Sequence, residues 1–174
     1  MLTSAINALR RAIDNGRRAV HDLHSRRNAS SKLIESFAQI QDELNQFRQP
    51  GERPRLHIIC EGRSRPLRAA VEQELYEIGR EALINAIRHA HARNIEITVV
   101  FHRNFTSLSV RDDGCGIDPT LVAADKNERL GLAGIREHAD RMGARLSIWS
   151  ARGCGTELKL EVPGRVVFLE SVKA

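Results

Sequence analysis

The run from Glu77 to His91, EIGREALINAIRHAH, admits one reading: a single helix with core on one side and chemistry on another. Val71, Leu75, Ile78, Ala82 and Ala86 recur at helical steps and form an apolar stripe. Glu77, Glu81 and Asn85 stand four apart, with Arg88 a turn further on, so their side chains share a second, polar face. An amide oxygen is a hard ligand for Mg²⁺, a carboxylate one turn away can hold a metal-bound water or take a proton, and a guanidinium neutralises phosphate. That set suits a nucleoside triphosphate. It equally describes a solvated helix face with chance pairs, so the helix alone does not decide function.

The chain has 174 residues, enough for one main core and a helical appendage but not for two large domains. Lys and Arg total 27 against 22 Asp and Glu, which permits nucleic acid, anionic membrane or phosphate partners and selects none. Much of the excess lies in Arg10, Arg11, Arg17, Arg18, Arg26 and Arg27, on what reads as one solvated helix face, and aromatic residues for base stacking are scarce. No nucleic-acid partner is expected. Cys60, Cys115 and Cys154 include no C-x-x-C pair, which argues against a disulfide framework or zinc knuckle and for a reducing, cytoplasmic setting. No apolar run reaches the roughly 18 residues of a membrane span, so a soluble domain is expected, whose parent protein could still be membrane-bound.

In chain order, Leu2, Ile6, Leu9, Ile13, Gly16, Val20 and Leu23 step like a heptad seam, and Leu33, Phe37, Ile40, Leu44 and Phe47 form a second seam out of phase with it. Two helices result, the second opening after the cap-forming stretch Asn28 to Ser31 and closing before Pro50. Strands are expected over Arg55 to Cys60, Asn94 to Phe101 and the run ending at Asp112, the last two as a hairpin through His102 to Asn104. Pro119 to Arg129 has no period and reads as a loop; Gly131 opens a helix that runs through Met142 to Gly143. Strands Arg145 to Ser150 and Thr156 to Val162 follow, and the apolar tail Val166 to Leu169 is expected to add an edge strand. The order predicts an α/β two-layer sandwich, a mixed, mostly antiparallel sheet with helices on one face, plus an N-terminal helical segment. The divisions are residues 1–27, 28–50 and 51–174.

Three glycine clusters lie downstream of the polar helix. Asp112 at a strand end can accept from an exocyclic amine, Gly114 and Gly116 let backbone approach a flat ring, Gly131 and Gly134 free N–H groups at a helix start, and Gly153, Gly155 and Thr156 could close over the base. Singly, each is more often an ordinary turn. As an ordered set they resemble the ATP-binding catalytic domain of bacterial sensor histidine kinases, within the Bergerat-fold (GHKL) superfamily. EALINAIRHA is similar to its N box, VRDDGCGID to its first glycine box, GLAGIREHADRMGA to its second and GCGTEL to its last, closest to the nitrate-sensor-like subfamily. The resemblance covers residues 60 to 163. It extends to AIDNGRRAVHDL, which resembles the second helix of that subfamily's dimerisation hairpin.

The resemblance implies that Asn85 coordinates Mg²⁺, Arg88 faces the phosphates and Glu81 orients or deprotonates the metal-side reactants. It further implies that Asp112, Gly114, Gly116, Ile117, Gly131, Leu132, Gly134, Gly155 and Thr156 surround ATP, with residues 119 to 130 as a lid. One departure is Glu128, a carboxylate where the subfamily's lid often has glycine, which would repel the triphosphate or shift the lid. Cys115 and Cys154 are expected to be small packing residues without redox roles. The implied activity is transfer of the γ-phosphoryl of ATP to a histidine, with a response regulator and a homodimer of the full-length protein as partners.

His24, in HDLH, is not the acceptor: Ser25 and Arg26 follow where the acceptor motif has an acid, and it lies too near Glu81 for a whole second dimerisation helix to intervene. His21 and His24 are ordinary residues of that second helix, and the acceptor helix is expected to be absent from this chain. His89 and His91 could bind metal, but a helix-end histidine meeting the C-terminal dipole is the expected state. A serine kinase or ATP-driven clamp of the superfamily fits less well. A non-catalytic nucleotide-sensing or protein-docking module is the alternative from another class.

Overall fold

The computed structural model describes residues 32–45, 54–63, 65–117 and 131–168. The first seam, the cap stretch, His21, His24, Glu128 and the lid lie outside them. Helix α1 (Lys32–Asn45) leads to β1 (Arg55–Gly62), α2 (Ala69–Arg88), the hairpin β2 (Asn94–Phe101) and β3 (Phe105–Asp112), then α3 (Leu132–Arg141) and the hairpin β4 (Arg145–Ser150) and β5 (Thr156–Pro163). The five strands form one sheet in the order β1-β2-β3-β5-β4. Only β1 and β2 run parallel, joined through α2 as a parallel pair requires, and the other pairs are antiparallel.

Strict alternation orients the sheet. Ile95, Ile97, Val99 and Phe101 on β2 are buried, as are Leu108 and Val110 on β3 and Leu158, Leu160 and Val162 on β5. Cross-strand register joins them into rows: Ile97, Val110, Leu158 and Ile148 are one, and Val99, Leu108, Leu160 and Leu146 the next. Alternate positions such as Glu96, Arg111, Glu157 and Trp149 form the other face, where Trp149 is the large hydrophobic residue that is most exposed. Against the apolar face lie Leu75, Ile78 and Leu83 of α2 and Ile135 and Ala139 of α3, all buried. The α/β sandwich is therefore as expected.

Helix α2 takes in Val71 and Leu75 of the apolar stripe as expected and ends at Arg88, short of His91, with His89 as its C-cap. Its tail is fastened by Ala90 and Ala92 N–H donating back to Asn85 and Ala86 carbonyls, with His91 held at φ 51°. The expected C-terminal edge strand is not formed. Gly164–Val167 is a short helical turn, α4, and Phe168 makes a single bridge to Leu67. Val167 and Phe168 are buried and cap the start of α2, where Arg68 N–H donates to the Val167 carbonyl at 2.9 Å and its Nε to the Phe168 carbonyl at 3.1 Å. An apolar run this short carries no period to separate strand from helix.

Candidate nucleotide site

The site begins with the last inward position of β3. Alternation puts Thr106, Leu108, Val110 and Asp112 on the core side, so Asp112 is a carboxylate where the row would otherwise continue with an aliphatic. It is 8% exposed, and its Oδ1 accepts from Gly114 N–H at 2.8 Å. Burial pushes the Asp112 carboxyl up; N–H groups of Gly114 and Thr156 pull it back without cancelling the rise, to which Asp113 adds. Asp113 is the opposite case. Partial burial would raise it, but the N–H and side-chain amide of Asn94 and the N–H of Arg93 outweigh that and hold it below the ordinary value, with contacts of 2.9, 2.6 and 2.7 Å.

The turn after Asp112 is pressed onto the end of α2. Cys115 N–H donates to the Ala90 carbonyl at 2.8 Å, and any Cβ at Gly114 would overlap Ala90. Gly114 thus serves close packing of the turn on the helix, where the sequence suggested close approach to a ring. Gly116, at φ 71°, has no room for a Cβ beside the Ala151 carbonyl, and Gly155, at φ 77°, none beside that of Asp112. These two turns are sewn together by Gly153 N–H to the Cys115 carbonyl at 2.7 Å and by Ser150, whose Oγ accepts from Ile117 N–H at 2.7 Å. Cys115 and Cys154 are exposed, so neither is a packing residue: glycine turns this tight leave the intervening side chain outside.

Between turns and helices opens a pocket of about 200 Å³. Asn85 and Ala86 of α2, its C-cap His89, Asp112 at the end of β3, and Gly116 and Ile117 of the turn that follows all line it. Val110, Leu158 and Ile148, three members of one cross-strand row, supply an apolar floor, with Leu132 and Ile135 of α3 beside it and Thr156 next to Asp112. This is less than the volume that encloses a drug-sized ligand. Of the expected residues, Asn85, Asp112, Gly116, Ile117, Leu132 and Thr156 line it. Glu81, Arg88, Gly114, Gly131, Gly134 and Gly155 do not. Glu81 has its carboxylate against Gly131, whose φ of 62° would strain any other side chain there. Gly134 faces open space, and Arg88 is exposed on the last turn of α2. Ser150 and the floor residue Ile148 had no motif to announce them; an alternating strand entering a glycine turn was the one available signal.

Residues 70–166, more than half of the chain, match the profile of the histidine kinase-, DNA gyrase B-, and HSP90-like ATPases. The chain belongs to this ATPase family. Among curated relatives of this ATPase domain, the signal transduction histidine-protein kinase/phosphatase DegS of Bacillus subtilis (strain 168) is 31% identical over 111 residues, covering 63% of this chain and 29% of DegS. The nitrate/nitrite sensor protein NarX of Escherichia coli (strain K12) is 28% identical over 147 residues, covering 74% of this chain and 24% of NarX. The ATPase domain thus spans about a quarter of these relatives' length. Full-length ShkA in complex with AMPPNP shares its fold at a TM-score of 0.61 and 22% identity, covering 92% of this chain and 38% of ShkA. The catalytic domain of histidine kinase ThkA does so at 0.56 and 20%, covering 76% of this chain and 90% of that domain.

Among the described residues of the ATPase domain, no three His, Cys, Asp or Glu side chains converge to hold a metal. Nor is any described helix long and apolar enough to cross a membrane.

Proposed function

We propose that this chain is the catalytic domain of a sensor histidine kinase, passing the γ-phosphoryl of ATP to a histidine on a dimerisation helix that it does not itself supply. One observation carries the reading: Asn85 and Asp112 line the same cleft, together with an apolar row of the sheet. Asp112 accepts from the adenine amine, Ile117, Leu132 and Ile148 cover the ring, and the small residues Gly116 and Ala86 leave it room. Glycines 131 and 134 open α3, whose N-terminal N–H groups favour phosphate.

The donor set fits Mg²⁺. That ion takes few protein ligands besides phosphate oxygens and water, and the half-buried Asn85 offers the hard amide oxygen such a site needs. When bound, Mg²⁺ neutralises charge on the transferring phosphoryl. Arg88 adds positive charge at the rim, while Glu81 orients or takes a proton from the reactants on the metal side. The rest of catalysis is positioning, since in-line phosphoryl transfer asks little covalent chemistry of the protein. A response regulator receives the phosphoryl next, the parent protein works as a homodimer, and the domain resides in the cytoplasm.

The test is to mix the chain with Mg·ATP and a separately made dimerisation hairpin carrying an acceptor histidine. Acid-labile phosphate on the hairpin, with none on His21 or His24, is expected. Phosphate on either of those residues would overturn the acceptor assignment, and ATP binding without any transfer would favour a nucleotide-sensing module.

A further inference from the structure

Ser150 is the last residue of β4, paired with Thr156 across the β4-β5 hairpin. Its hydroxyl has one proton and two lone pairs. The Gly155 carbonyl, 3.0 Å away, can only accept, so the proton goes there. Ile117 N–H occupies one lone pair at 2.7 Å. Thr156 Oγ1 is the third neighbour, at 3.0 Å, and with the serine proton already committed it must be Thr156 that donates. The threonine proton is therefore turned away from the pocket and its lone pairs are left for a ligand.

Thr156 lines the pocket beside Asp112, whose carboxylate already accepts from Gly114 and Thr156 N–H groups. The two side chains make an end that accepts hydrogen bonds and offers none. The C6 amine of an aminopurine is satisfied there; the C6 carbonyl of an oxopurine would face oxygen on both sides, with N1–H the one donor on that edge, and an unpaired polar contact is more costly than a missing one. We propose that Ser150, which need not touch the ligand, is a positioning residue that fixes this polarity and so selects a 6-aminopurine over a 6-oxopurine. The inference rests on the nucleotide reading given above.

Affinities for ATP and inosine triphosphate, which exchange a C6 amine beside a bare N1 for a C6 carbonyl beside an N1–H, test it. The wild-type chain should prefer ATP. Ser150→Ala frees the Thr156 proton to turn into the pocket, so the preference should fall by about tenfold, whereas Ser150→Thr keeps a hydroxyl and should keep the preference. In a Thr156→Val background, Ser150→Ala should leave the ratio where Thr156→Val alone puts it. Equal weakening of both nucleotides by Ser150→Ala would mean a merely structural role and overturn the inference, as would a ratio that still shifts in the Thr156→Val background. Should Ser150→Ala not fold, the ratio in Thr156→Val decides: an undiminished preference for ATP overturns the inference. A wild-type chain that binds neither nucleotide would sink the nucleotide reading itself, while intact ATP binding with an unchanged ratio removes only the role of Ser150.

Discussion

Asp112 carries opposed demands. A carboxylate at the end of an aliphatic row is costly to bury, and burial raises its proton affinity above that of the unfolded chain. The folded protein therefore binds more protons than the unfolded one as pH rises past the ordinary carboxylate range, and this group's contribution to stability falls there. Asp112→Asn should leave the melting temperature at neutral pH unchanged or higher, with the difference closing in acid, even as ATP binding is lost. Asp113 has the reverse sign: its stabilisation is present at neutral pH and lost as pH falls through its lowered value, so Asp113→Asn should lower the melting temperature at neutral pH and converge with wild type in acid. Thermal unfolding across pH checks both. His91 is a third case, a side chain held at φ 51° where helix ends favour glycine. His91→Gly should stabilise by about 1 kcal/mol, read by denaturant unfolding. The motif announced Asp112 because an acid before paired glycines is unusual; Asp113 and Ser150 act through backbone partners distant in sequence, and no spacing reveals those.

Elements were legible where one period dominated. Alternation fixed Asn94–Phe101 and Arg145–Ser150 to the residue, while the tail failed because Val166 and Val167 pack equally well in a helical turn. The attachment of α1 to α2 was legible only as an apolar seam. In space, Phe37 is fully buried over Gly79, where a Cβ would sit 2.5 Å from the ring, and it stacks on Tyr76 at 6.2 Å. Glu72 accepts from Leu33 N–H at 3.0 Å, satisfying one of the orphan donors at the start of α1. Phe37→Ala should cost about 3 kcal/mol, with backbone amides of α1 losing hydrogen-exchange protection before those of α2. Helix α3 is held to α2 differently, by His138 and Arg141 sharing the carboxylate of Glu74.

Across the described residues, the closure of the core and the candidate site occupy opposite ends of the sheet. At one end Phe168, under Arg65 at 3.7 Å, closes the core with α4 and the start of α2. At the other, the C-terminus of α2, the end of β3, the start of β5 and the start of α3 converge on the pocket, where Gly114, Gly116 and Gly155 approach backbone too closely for any other residue. Loops joining rigid elements at one end of a sheet can vary their chemistry without disturbing the core. The central claim is that the Asn85 helix and the Asp112 turn form one site for a magnesium nucleotide. ATP affinity with and without Mg²⁺, measured calorimetrically for wild type, Asp112→Asn and Asn85→Ala, tests it most directly. The account predicts that Asp112→Asn weakens ATP by about 100-fold or more under both conditions, and that Asn85→Ala still binds ATP but no longer responds to Mg²⁺; wild-type affinity and metal response in both variants would contradict it.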